Sequence, residues 1–430
     1  MELDQRYIED CFIKYAKVDT RSDVSSKQVP TTPGQKKLAL IVCDDLKKLG
    51  VEAWYNEKTA FTIARIPSNT EKNLSSIGFI AHLDTADFNS ENVCPIVHPD
   101  YDGGDVVLNE DLGIVLSSKE FPDLKKFKGQ RLITTDGTTL LGADDKAGVA
   151  GLLGAVKYLK EHPDFEHGAL YLAFGPDEEI GQGAKRFDET EFPVEFAYTL
   201  DNGQPGEIEY ETFNAAWAQI EVEGTAVHPG DAYGLMVNAA LIANEIVSAL
   251  PQDEVPEKSK DHEGFILVNE FDATVDHAYL SMIIRDFDTE KFFAKQEFLK
   301  ELVSKINARY DKPRVTLKFT EQYRNIGDTI KKNPYIVNLA IDSYKKLGFE
   351  VKIVPFRGGT DGNFFTQKGI PTPNLFNGGN NFHGQYEYVT TEAMATVSKT
   401  ILTIVEEPVL QSQSRNMTPL PYSEERFFRK

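Results

Sequence analysis

Three cysteines in 430 residues, Cys11, Cys43 and Cys94, are too few and too scattered for a disulfide framework or a Cys-rich zinc site. A reducing cytoplasm is the compartment this usage fits. Long apolar runs are missing as well: no stretch approaches the ~18 residues that a membrane span requires. The opening MELDQRYIEDCFIKYAKVDT carries charge throughout and has no apolar core of an export signal, so no targeting segment is expected. Basic residues are in deficit, 46 Lys and Arg against 67 Asp and Glu, which leaves a net charge of -21. That balance argues against nucleic acid or an anionic membrane as the main partner. What is present, 41% hydrophobic and 26% charged residues, describes a globular chain with a sizeable core, long enough for two domains.

Periodicity divides the chain into two grammars. Helical spacing over 3–17 and 34–48 is followed by short apolar runs, FTIARI and IGFIAHL, that predict strands. DDKAGVAGLLGAVKYLKEH predicts a helix with Val149, Leu152, Leu153, Val156 and Leu159 along one face. ALYLAF (169–174) and EFAYTL (195–200) add two buried strands. Strands alternating with helices predict an α/β layer, a mixed but mostly parallel sheet flanked by helices. Between about 207 and 325 the order becomes β-α-β-β-α-β, the plan of a ferredoxin-like α+β domain, here read as an insertion. The expected division is 1–206 with 326–410 as one domain, 207–325 as the inserted one, and 411–430 as a polar, proline-bearing tail.

Polar residues collect where the predicted core strands end. FIAHLDTAD places His82 and Asp84 two positions apart, so an extended chain presents both on one face. LLGADDKAG follows the strand-like TTL (138–140) and brings Asp144 and Asp145; GPDEEIGQGA brings Glu178 and Glu179; AYTL is followed by Asp201; and NNFHGQYE supplies His383. Taken singly, Asp144 or Asp145 is explained as a helix cap, the glutamate pair as a solvated turn, and His383 as a surface histidine. Taken together, acids and imidazoles recur at one strand end after another, and in open α/β sheets that edge is where ligands bind. Crowded carboxylates repel unless a cation offsets them, and imidazole plus carboxylate without thiolate suits Zn, with Mn or Co as substitutes.

HLDTAD, GADDKAG, PDEEIGQGA, LDNG, RDFD, RGGTDG and NFHG, in this order and spacing, resemble the M20 family of dinuclear zinc peptidases, and within it the tripeptide aminopeptidases. VPTTPGQ near the N-terminus resembles the same subgroup. The resemblance implies two Zn²⁺ per subunit, one held by His82 and Asp201, the other by Glu179 and His383, with Asp144 bridging. It implies that Asp84 orients His82, and that Glu178 is the general base toward a bridging water in releasing the N-terminal residue of a tripeptide. Arg285 in RDFD matches an arginine associated with the substrate carboxylate, and His228 in AVHPG a histidine at the oxyanion that in some members comes from a partner subunit. Arg357 and Asn363 are expected to line the same pocket. The family also suggests a homodimer through the inserted domain. Alternatives are another M20 activity (dipeptidase, carboxypeptidase or aminoacylase) and a non-catalytic peptide-binding protein, although a degenerate site would have lost one or more of these residues.

Overall fold

A computed structural model describes residues 1–201 and 203–406; the 411–430 tail lies outside the described residues. The chain forms two compact units. The first takes in Met1–Tyr210, Ile326–Val354 and the stretch from Thr360; the second takes in Glu211–Asn325 and Pro355–Gly359. Among the described residues the chain therefore visits the second unit twice, the brief return carrying Arg357.

An eight-stranded sheet organises the first unit, in the order Glu52–Tyr55, Thr62–Ile66, Leu170–Gly175, Ile77–His82, Phe196–Leu200, Asn374–Leu375, Glu207–Glu209, Lys352–Ile353. Its middle is parallel, from Leu170–Gly175 through Asn374–Leu375, while Thr62–Ile66 joins antiparallel on one side and Glu207–Glu209 on the other. Every residue of Ile77–His82, Leu170–Gly175 and Phe196–Leu200 is buried, as strands covered on both faces require. TTL is a bend, and the strand in that region is Leu132–Thr134, in a separate three-stranded sheet.

The helix Ala143–Glu161 departs from the one-faced pattern of its sequence. It is buried almost all round as far as Val156. Its glycines explain how: a Cβ on Gly151 would stand 2.7 Å from Val397, and one on Gly154 2.6 Å from Ile8, so the helices Gln5–Ala16 and Thr391–Glu406 approach it closely. The second unit has a four-stranded antiparallel sheet, in the order Phe265–Ala273, His277–Asp286, Asn214–Glu223, Val315–Tyr323, with helices Ala239–Ala249 and Thr289–Asn307. Its own core includes Ile220, Ile246, Leu280 and Leu299. This is the order expected of a ferredoxin-like α+β fold.

Candidate metal centre and catalytic site

Register decides where the polar residues gather. His82 pairs with Gly175 in the neighbouring strand, Ile80 with Thr199, and Leu200 with Leu375, so the parallel strands end along one edge. The residues just past those ends are Asp84, the Asp177–Glu179 turn and Asp201. Asp144 arrives by another route, at the non-helical start of the segment Ala143–Glu161, with φ/ψ of -83° and 107°, and its carboxylate is not spent on a helix cap. Its two oxygens instead divide between two imidazoles, Oδ1 lying 3.1 Å from Nε2 of His82 and Oδ2 3.0 Å from Nε2 of His383. His383 Nε2 is also 3.1 Å from Oε1 of Glu179, and His82 Nε2 is 3.9 Å from Oδ1 of Asp201. Potential ligand atoms of His82, Glu178 and Asp201 lie within 4.8 Å of one another, as do those of His82, Asp144 and Glu179. His82, Asp144, Glu178, Glu179, Asp201 and His383 thus share one place.

Backbone amides hold this array. The Asp84 carboxylate is completely buried and accepts the amides of Glu178 at 2.9 Å and Glu179 at 3.1 Å. Its nearer contact with His82 is through its main chain, 3.1 Å from the carbonyl oxygen to Nδ1, against 3.4 Å for the carboxylate. With its proton on Nδ1 donated to that carbonyl, the neutral ring would turn its Nε2 lone pair toward a cation in the cluster. Glu387, four residues beyond the half-exposed His383 but itself buried, accepts the amides of Leu141, Gly142 and Asp144 at 2.8, 2.7 and 3.0 Å. It ties the loop of His383 to the loop of Asp144. Asp145 accepts the His82 amide and a hydrogen bond from Asn377.

Burial and mutual repulsion dominate the electrostatics. Burial, then Asp201, holds the Glu178 carboxyl well above the usual range; burial, then Asp144, does the same to Asp201 and raises Glu179. Burial would raise Asp144 too, but the two histidines outweigh it and lower it. Asp144 and Glu179 raise His383 to about 10, and burial raises both Asp361 and Glu387 to about 7. Asp361 lines a narrow crevice with His82, Asp145, Glu178 and Asp201. Neither of its carboxyl oxygens closes a hydrogen bond, although the Ala184 amide pulls its pKa back toward normal.

The other named residues are placed differently. Asn363 is buried and caps the helix Asp361–Gln367, its Oδ1 accepting the Thr360 amide at 2.9 Å. Arg285, His228 and Arg357 belong to the second unit. Arg285 lies over the Tyr323 ring and donates to the carbonyls of Ile284 and Ala216; burial lowers its pKa, while Asp286 engages Lys295 instead. His228 is exposed, its Nδ1 accepting the Gly230 amide. Arg357 donates to the carbonyls of Asp261 and Glu263 and to the Ser259 hydroxyl, between the rings of Phe213 and Phe265. Sequence reasoning passed over Glu387 and Asp361 although both stand inside quoted motifs. Position in those motifs was the available signal.

The donor set suits divalent cations. Among the described residues the acids of the cluster meet imidazoles but no lysine or arginine, and Glu179 Oε1 is buried at ion-pair distance from His383 without a hydrogen bond of good geometry. Comparison with known proteins agrees. The model of peptidase family M20/M25/M40 matches residues 129–407. The chain is 48% identical over 399 residues to a peptidase T of Fusobacterium nucleatum subsp. nucleatum, covering 93% of this chain and 97% of that one. In fold it is similar to the aminopeptidase PepT of Bacillus cereus (TM-score 0.75, 23% identity, 94% and 98% of the two chains covered) and to a tripeptidase of Staphylococcus aureus (TM-score 0.75, 19% identity, 96% and 100%). The chain belongs to peptidase family M20/M25/M40.

Proposed function

We infer that this chain is a metallo-aminopeptidase that releases the N-terminal residue from tripeptides. The observation that carries this is the meeting of two histidines and four acids, from five separate segments, at the carboxyl edge of a parallel sheet in a member of this family. In this reading His82 and Asp201 hold one zinc ion, Glu179 and His383 a second, and Asp144 serves both. Mn²⁺ or Co²⁺ can substitute where oxygen and imidazole donors prevail. When bound, zinc supplies an acidified water and polarises the peptide carbonyl.

The remaining chemistry belongs to the chain. Glu178, with its pKa raised by burial and by Asp201, takes a proton from the attacking water and returns it to the leaving amine nitrogen. Asp84 keeps Glu178 and Glu179 at their post through the amides it accepts. The acidic crevice favours the peptide's α-ammonium group, and Arg285 offers a guanidinium fork to its carboxylate. Asn363 supports the site by completing the cap of the helix of Asp361, and Arg357 holds the 259–263 loop of its own unit. His228, exposed in its own unit, is assigned to the oxyanion from a second copy, which makes the protein a homodimer through its second unit. The free thiols Cys11, Cys43 and Cys94 suit a reducing cytoplasm, and no helix among the described residues is long and apolar enough to cross a membrane.

The test is metal content per chain measured beside hydrolysis of a tripeptide, a dipeptide and an N-acetyl amino acid, before and after chelation. Preferential tripeptide cleavage, lost on chelation and restored by zinc, is expected. Cleavage that survives complete metal removal, or preference for the N-acetyl amino acid, would overturn the reading.

A further inference from the structure

The VPTTPGQ motif makes no contact with substrate chemistry in the account above, yet it is tied to the base-bearing turn. Asp177, immediately before Glu178, is wholly buried. Its carboxylate accepts the Thr31 amide at 3.2 Å, the Thr31 hydroxyl at 2.5 Å, Nε2 of Gln35 at 2.8 Å and a guanidinium nitrogen of Arg186 at 3.0 Å. Its own amide donates to Oε1 of Gln35 at 2.9 Å. Gln35 therefore grips both the backbone and the side chain of one residue. Only a side chain with a donor and an acceptor on the same group can do that; glutamate lacks the donor and lysine the acceptor.

The grip falls where the backbone needs it. Asp177 has a φ of 56°, a left-handed conformation uncommon outside glycine that persists only where its surroundings impose it. That turn sends the next two residues, Glu178 and Glu179, toward the cluster, and the Asp84 carboxylate accepts both of their amides from the other side. Three consecutive residues are thus pinned by two buried networks. The first turn of the helix Pro33–Lys48 presents Gln35, and position 34 beside it packs against the 19–20 backbone so closely that a Cβ there would lie 1.7 Å from the carbonyl oxygen of Asp19.

We propose that Gln35, with Thr31, is a positioning residue for the base Glu178, acting through Asp177. The proposal rests on the assignment of Glu178 made above. It is tested on the full-length, zinc-loaded protein with Gln35→Glu, which keeps shape and acceptor but sets a second carboxylate against Asp177, and with Thr31→Val and Thr31→Ser. Wild type and Glu178→Gln run in parallel. The measurements are kcat and KM for a tripeptide, metal per chain, and hydrogen exchange of the 177–183 amides with and without metal. A displaced base is expected to lower kcat by roughly 10- to 100-fold in Gln35→Glu and Thr31→Val with KM within about 2-fold. Exchange of 177–183 should quicken in both metal states, and Thr31→Ser should recover what Thr31→Val loses. Unchanged kcat in Gln35→Glu, or slowed turnover without faster exchange in this segment, would overturn the clamp. A Glu178→Gln protein as active as wild type would overturn the base assignment itself, a failure seen separately from that of Gln35→Glu.

Discussion

Replacing Asp361 by asparagine changes a charge and almost no volume, at a carboxyl that is buried and closes no hydrogen bond. Burial holds its pKa at about 7 in the folded chain, against 3.8 for the free group. Below pH 3.8 the folded and unfolded forms both keep the proton, and above pH 7 both have lost it. Between those limits the folded chain binds a proton that the unfolded chain has released, so each unit of rising pH favours unfolding. About three units at ~1.4 kcal/mol each give at most ~4 kcal/mol lost from pH 4 to pH 7 through this one residue. Asparagine does not titrate and escapes that loss. Chelated wild-type and Asp361→Asn proteins, unfolded by denaturant from pH 5 to 8, should therefore diverge, the variant gaining relative stability as pH rises. Glu179 and Asp201 titrate in both proteins, and because the Asp361 charge also raises Glu178, the difference between the two curves reports Asp361 together with its influence on Glu178. Zinc should narrow the gap, because a cation near His82 favours the aspartate anion. Curves that run parallel from pH 5 to 8 would refute the claim that Asp361 is held protonated by burial.

Three further outcomes follow from the contacts. Glu178→Gln should retain its metal and lose hydrolysis by about 10²- to 10⁴-fold, the usual contribution of a positioned base, as read by steady-state kinetics beside metal analysis. Glu387→Ala leaves three buried amides without their acceptor; at ~1–3 kcal/mol for each such group it should destabilise the protein by several kcal/mol and weaken metal retention in a chelator competition. Retention equal to wild type would show that Glu387 does not hold the Asp144 loop. Arg357→Ala removes the donor that binds the 259–263 loop and should lower stability by ~2–4 kcal/mol with KM unchanged. A raised KM at unchanged stability would place that guanidinium on the substrate instead.

How far the sequence spoke for the site depended on whether a residue's role is set by the chain around it. His82, Glu178, Glu179 and Asp201 follow apolar runs long enough to be strands, and parallel strands must end along one edge, so their meeting was legible before any coordinates. Asp144 was legible in kind but not in cause: TTL is a bend, and what brings Asp144 in is the Glu387 carboxylate on the amides beside it, a partner 243 positions away that no periodicity announces. The helix Ala143–Glu161 read as one-faced because its glycines carry no hydropathy signal, while in the fold they are what lets two other helices bury its second side. Arg357 and Asn363 invited a substrate role through their place in and just after the RGGTDG motif, and no motif announces the contacts they make in the fold, one with a loop's carbonyls and the other with a helix start. Gln35 shows the same rule from the other side: an amide side chain in an unremarkable helix start acquires meaning only when a left-handed aspartate needs a donor and an acceptor at once. What the sequence hides at this site is therefore chiefly the supply of partners to buried backbone amides, because any oxygen in reach can meet that need and the chain folds to decide which one does.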